Sequence, residues 1–181
     1  MLRRRSRLGR HTRVYLVIFV ALAVIAGAFF GIRSLSRNAQ LRPLLPHMFE
    51  YNNVWGFTKT EKNPTIVEQI IPINTKNWKI DQDIVFAIPK ELRPSNPDDV
   101  QTVVMLTWDT VLWGTYTSGA RGWVQTCDVE IFDMITKTRY KSRQISGSKP
   151  PSNKSGTNDW TGSKPTGKVV EYIAGLPPIH R

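Results

Sequence analysis

The chain has little from which to build a reactive centre. Its 181 residues include one cysteine, Cys127, so no internal disulfide can brace the fold and no cysteine set can hold zinc. Histidine is nearly as scarce, with His11, His47 and His180. His11 sits in a basic N-terminal run and His180 lies near the C-terminus. Only His47 is readily available to a site, and no nucleophile–base–acid triad can be proposed from it. There is no Gly-rich phosphate loop and no metal-ligand spacing. Acids are outnumbered, 14 against 25 Lys and Arg. The first thirteen residues hold none at all, but carry Arg3, Arg4, Arg5, Arg7, Arg10 and Arg13. Those six account for more than half of the net charge of +11.

The next segment of the chain explains that clustering. Residues 14–32, VYLVIFVALAVIAGAFFGI, contain no charge. A helix needs roughly 20 apolar residues to cross a hydrocarbon core of about 30 Å, and a buried helix of a globular domain is rarely apolar on every face. The sequence therefore predicts a single transmembrane helix over 14–32. Six arginines precede it, and only Arg33, Arg37 and Arg42 come closely after it. The positive-inside rule then puts residues 1–13 in the cytoplasm as a basic tail and 33–181 outside the cytoplasm. A competing reading is a signal peptide cleaved after Ala28, at Ala26-Gly27-Ala28. The apolar run continues through Phe29, Phe30 and Ile32, which favours an uncleaved signal-anchor.

Residues 33–46 read as a juxtamembrane linker, closed by Pro43 and Pro46. The remainder, 47–181, is expected to be an extracytoplasmic β-rich (α+β) domain with an antiparallel sheet and a short C-terminal helix. Phe49, Tyr51, Trp55 and Phe57 are expected to pack on its core rather than form an interfacial belt. Val67–Ile71 reads as a short strand and Ile80–Ile88 as another. Gln101–Trp113 is the longest β-like run. Trp123–Asp133 alternates, with Trp123, Cys127, Val129 and Ile131 on one face and Thr126, Asp128 and Glu130 on the other. That alternation suggests a hairpin register: Asp133 opposite Thr138, Ile131 opposite Tyr140, Glu130 opposite Lys141, Val129 opposite Ser142 and Asp128 opposite Arg143. It pairs opposite charges on one face. Residues 147–164, rich in Gly, Ser, Lys and Pro, read as a mobile loop. Gly147-Ser148-Lys149-Pro150 recurs there as Gly162-Ser163-Lys164-Pro165, too short a copy to establish a repeat. A helix should follow Thr166 as its N-cap, present Val169, Val170 and Ile173 as an apolar face, and stop at Gly175.

Function is less defined. Cys127 falls on the inferred core face, where a thiol behaves as a small hydrophobe. Asp81 with Asp83, and Asp128 with Glu130, read as solvated strand faces. Neither a cofactor nor a metal is called for. Between Lys137 and Lys168 there are eight bases and one acid, Asp159, which suggests contact with an anionic partner through Arg139, Lys141, Arg143, Lys149, Lys154, Trp160 and Lys164. The sequence thus points to a membrane-anchored, non-enzymatic binding or assembly module. Its partners are the bilayer at 14–32 and a membrane or envelope protein or an anionic envelope polymer, with nucleic acid disfavoured. One alternative is an envelope enzyme using Asp81, Asp83 or Asp109. Another is a structural subunit of a larger membrane complex, whose helix meets neighbours through Ala21, Ala23, Ala26, Gly27, Ala28 and Gly31.

Overall fold

A computed structural model describes residues 10–179 except 68, 154 and 155. Most of the basic tail, residues 1–9, and Lys154 of the expected anion-contact set therefore lie outside the described residues. The chain divides into two compact units, one ending at Arg42 and the other spanning Pro43–Arg181.

The first unit is helix α1, Arg10–Leu41. In it Ile18, Phe19, Val20, Leu22 and Val24 are half or more exposed. Counted on the described residues, no helix is long and apolar enough to cross a membrane.

The second unit is an α+β fold. Its helices are α2 (Met48–Asn52), α3 (Gln82–Val85) and α4 (Thr166–Ala174). Its strands are β1 (Lys59–Glu61), β2 (Ile66–Val67), β3 (Gln69–Asn74), β4 (Lys79–Ile80), β5 (Val100–Thr115), β6 (Arg121–Asp133), β7 (Thr138–Tyr140), β8 (Arg143–Ser146), β9 (Trp160–Thr161) and β10 (Pro178–Ile179). Eight strands form one mixed sheet in the order β1-β7-β6-β5-β3-β4, with β8 and β9 also on β6, while β2 and β10 form a separate parallel pair.

The antiparallel sheet expected from the sequence is thus mixed. β3 runs parallel to β5, β1 to β7 and β9 to β6. The β3–β5 crossover spans residues 75–99 and includes α3, which is long enough to return a strand in the same direction. A second difference lies at Ile80–Ile88. Only Lys79–Ile80 is strand, and α3 comes next. Asp81 turns the chain there, since its Oδ1 accepts from Ile84 N–H at 3.3 Å as an N-cap. Ile84, Val85 and Ile88 are then buried together, at the i, i+1, i+4 spacing of a helix face rather than the alternation of a strand.

Both faces of the sheet are covered. One carries the main core, in which Val104, Leu106 and Trp108 of β5 and Cys127, Val129 and Ile131 of β6 meet Ile84 and Ile88, and Val169 and Ile173 of α4. On the other face Phe132 is fully buried and receives Trp55 and Phe57 edge-on, at ring separations of 5.5 and 6.1 Å. Those two linker-proximal aromatics and the buried Tyr51 belong to this domain's packing, while Phe49 is exposed. α4 begins at Thr166, with Pro165 rather than Thr166 at the cap, and stops at Gly175.

The hairpin register holds at its turn and then slips. Asp133 faces Thr138 as expected. Beyond β7, Val129 faces Arg143 and Asp128 faces Gln144, one residue out of step with the expected Val129–Ser142 and Asp128–Arg143 pairs. The extra residue is absorbed at Lys141–Ser142, where Lys141 N–H donates to Glu61 of β1 at 3.0 Å. Such a break re-aims the strand after it. Glu130 is therefore bound by Arg139, at 2.9 Å, rather than by Lys141. The alternation along β6 also changes phase: Val124 and Thr126 are buried on one face, and Cys127, Val129 and Ile131 on the other.

Candidate functional site

The basic residues expected to form one surface are dispersed, and several are engaged. Arg139 bridges Glu130 and lies over Trp55, 5.4 Å from the ring centre. Arg143 lies over Tyr172 of α4 at 4.6 Å. Lys149 lies over Trp113 at 4.3 Å, and Lys164 over Trp108 at 3.9 Å. Lys164 also reaches Asp83 at 3.8 Å. Lys141 is exposed, and Trp160 is partly buried in β9. Cations placed over aromatic faces gain roughly 0.5–1 kcal/mol at exposed sites, so much of this charge braces the fold.

The loop expected to be mobile is tied down at both ends, and the two GSKP copies explain how. Gly147 N–H donates to Gln125 of β6 at 2.8 Å, and Gly162 N–H donates to Trp123 of β6 at 2.9 Å. The copies cross each other directly. A Cβ on Gly147 would collide with the Ser163 carbonyl oxygen, and one on Gly162 with that of Ser148. Ser163 N–H donates to Ser148 Oγ at 2.8 Å, and the two hydroxyls lie 3.0 Å apart. The lysines then part to the two tryptophans of β5, and both prolines are buried. The repeat is thus a paired clasp across the β5–β6 hairpin.

The acids weighed as catalytic do not gather. Asp81 is buried and binds two partners, with Oδ1 accepting from Ile84 N–H and Oδ2 from Trp108 Nε1–H at 2.8 Å. Asp83 is exposed and paired with Lys164. Asp109 is exposed on β5, its Oδ1 accepting from Thr110 N–H. His47 contacts Glu50 at 3.5 Å. Among the described residues, no three His, Cys, Asp or Glu side chains gather in a way that could hold a metal ion.

Cys127 is fully buried opposite Trp108. Burial, with Asp81 and Asp128 nearby, pushes its thiol up to about 12. Reactivity belongs to the thiolate, so the native protein should resist iodoacetamide at neutral pH and take up one equivalent once denatured. Rapid labelling of the native protein, detected by mass spectrometry, would contradict this placement.

The feature that sequence reasoning passed over is the outer half of the β5–β6 hairpin. β6 is paired along its free side by β7, β8 and β9 in turn. β5 is paired by β3 only as far as Leu106. From Thr107 to Thr115 no strand among the described residues lies on that side of β5. This stretch carries the exposed side chains Val111, Leu112 and Trp113, 48–54% accessible. A groove of about 190 Å³ opens beside Trp113 and is lined by Tyr116, Gly122, Pro150 and Pro151. Pro150 closes on Gly122, and Tyr116 Oη donates to the Pro151 carbonyl at 2.8 Å. The signal was legible as three consecutive large apolar residues ahead of a turn, but the sequence could not show which strand edge lacked a partner.

No family model, curated protein or solved structure matches the chain.

Proposed function

We propose that the chain is a single-pass membrane protein whose α+β domain, held outside the cytoplasm, is a binding and assembly module that engages a protein partner through the outer half of β5. The observation that carries this reading is the unpaired, apolar stretch Thr107–Thr115. Natural proteins usually blunt such edges with Pro, Lys or a covering element. Here the backbone edge at Val111-Leu112-Trp113 has no strand opposite among the described residues, and Lys149 covers only the Trp113 ring.

Anchoring rests on residues 14–32, which lie within α1. The exposed apolar residues between Ile18 and Val24 span two turns, so they point to every side of the helix. Lipid on all sides satisfies such a surface, and water does not. The arginine-rich tail sets the orientation, with the N-terminus in the cytoplasm. A protein partner fits better than an anionic polymer because Arg139, Arg143 and Lys164 already lie on aromatic faces or carboxylates.

The test is a mild-detergent pull-down of the full-length protein from its own membranes, comparing wild type with Leu112→Lys. Wild type should sediment with membranes and retain a stoichiometric protein, and Leu112→Lys should lose that protein while staying folded and anchored. Recovery of the same proteins with both forms would overturn the reading. So would a hydrolytic or transfer activity abolished by changing one or two acids of the domain.

A further inference from the structure

The outer edge of β5 has a definite hydrogen-bonding pattern, which limits what can occupy it. Thr75 N–H donates to Leu106 O on the β3 side. Along a strand, backbone groups alternate in direction, so those of Trp108, Thr110 and Leu112 point to the same side beyond the end of β3. They form a row of donors and acceptors without a strand opposite. Asp109 and Val111 lie between them and turn their side chains to one face; the β5–β6 register shifts between Leu112 and Gly114, and Trp113 there lines the groove with Gly122 and Pro150. Lys149 from the clasp covers the Trp113 ring.

We propose that this edge pairs with the same edge of a second copy of the chain, antiparallel about a two-fold axis through Val111. The inference rests on the reading of the outer half of β5 as the binding surface and names its occupant. In this register Thr110 faces Leu112 of the second copy and exchanges both backbone hydrogen bonds with it, its N–H leaving the Asp109 carboxylate that holds it in the single chain. Asp109 faces Trp113 of the second copy, whose ring carries Lys149. Each carboxylate thus meets the other copy's ammonium, twice by symmetry, and Asp109 is the only charge in the stretch. An axis through Asp109 itself would set two carboxylates face to face, which is unfavourable. Charge complementarity therefore favours a second copy as the partner and this register over the one about Asp109. A two-fold contact of this kind closes on itself and does not propagate into a filament.

The experiment measures the mass of the full-length protein in mild detergent by native mass spectrometry, with three sets of variants. Wild type should be a dimer, and Leu112→Lys, at a half-exposed site, should weaken it by about tenfold or more. Asp109→Lys should weaken it about tenfold at low salt, and adding Lys149→Asp should restore most of the loss. Val111→Cys should give a disulfide-linked dimer under mild oxidation, because residues on the axis face each other closely; Ser118→Cys, in the hairpin turn, should not. A monomeric wild type would overturn the proposal. So would a dimer indifferent to Leu112→Lys and without the Val111→Cys cross-link, which would place the contact elsewhere, for instance in α1. If the purified protein is monomeric but still loses a different protein from the pull-down on Leu112→Lys, self-pairing fails while the binding surface stands.

Discussion

Asp81→Ala should destabilise the domain by about 3 kcal/mol, the largest loss expected from any single side-chain truncation outside the apolar core. The carboxylate belongs to a residue that is 7% exposed and satisfies two donors, Ile84 N–H and Trp108 Nε1–H. Removing an N-cap costs about 1 kcal/mol. Leaving a buried indole N–H without an acceptor costs a further 1–3 kcal/mol or so. For a domain of this size the sum should lower Tm by about 10 °C. Asp81→Asn, which keeps one carbonyl oxygen, should fall between. Asp83→Ala is the internal comparison: that carboxylate is exposed and only 3.8 Å from Lys164, so its loss should be worth less than about 0.5 kcal/mol. Calorimetry of the three variants decides the matter. If Asp81→Ala melted with Asp83→Ala, the carboxylate would not be organising α3 and Trp108.

Gly162→Ala should rank with it, at about 3 kcal/mol, with Gly147→Ala close behind. The cause is backbone against backbone, because each new methyl would occupy the place of a serine carbonyl oxygen in the other GSKP copy. A side chain can rotate away from such a clash, but here the obstacle is backbone, and each glycine is itself held to β6 through its N–H. The clasp should then part, and the segment between the two copies should become open to protease before the rest of the domain melts. Gly114→Ala provides the contrast, since a Cβ there meets nothing within 4 Å. Limited proteolysis showing equal rates for Gly162→Ala and Gly114→Ala would remove the clasp from the description.

These two sites mark the boundary of what the sequence made legible. The long β-run from Gln101, the Trp123–Asp133 strand, the Asp133–Thr138 turn register and the terminal helix were readable because each depends on neighbours within a few residues. Burial of Cys127 came from local alternation as well. The role of Asp81 was not readable, because its indole partner lies 27 residues away. The parallel β3–β5 pairing depends likewise on a crossover whose length permits it without announcing it. The register slip after Tyr140 comes from β1, nearly 80 residues earlier, which takes the Lys141 amide. The GSKP copies were visible as text, but only their crossing gives them meaning. As for the candidate surface, the apolar residues at its centre were in plain view, while the missing neighbour strand is a property of the assembled sheet.

The pairing of β2 with β10 has a consequence for when the domain can exist at all. Ile66 and Val67 find their strand partners at Pro178 and Ile179, and α4 supplies Val169 and Ile173 to the main core. A chain being synthesised must therefore hold residues 66–131 without that cover until residue 179 has emerged. The β5–β6 hairpin, being local, can form early, and its edge is then open along its whole length rather than only beyond Leu106. Folding is in effect a closing step made by α4 and β10, and an interrupted synthesis would leave the protein with its stickiest strand exposed.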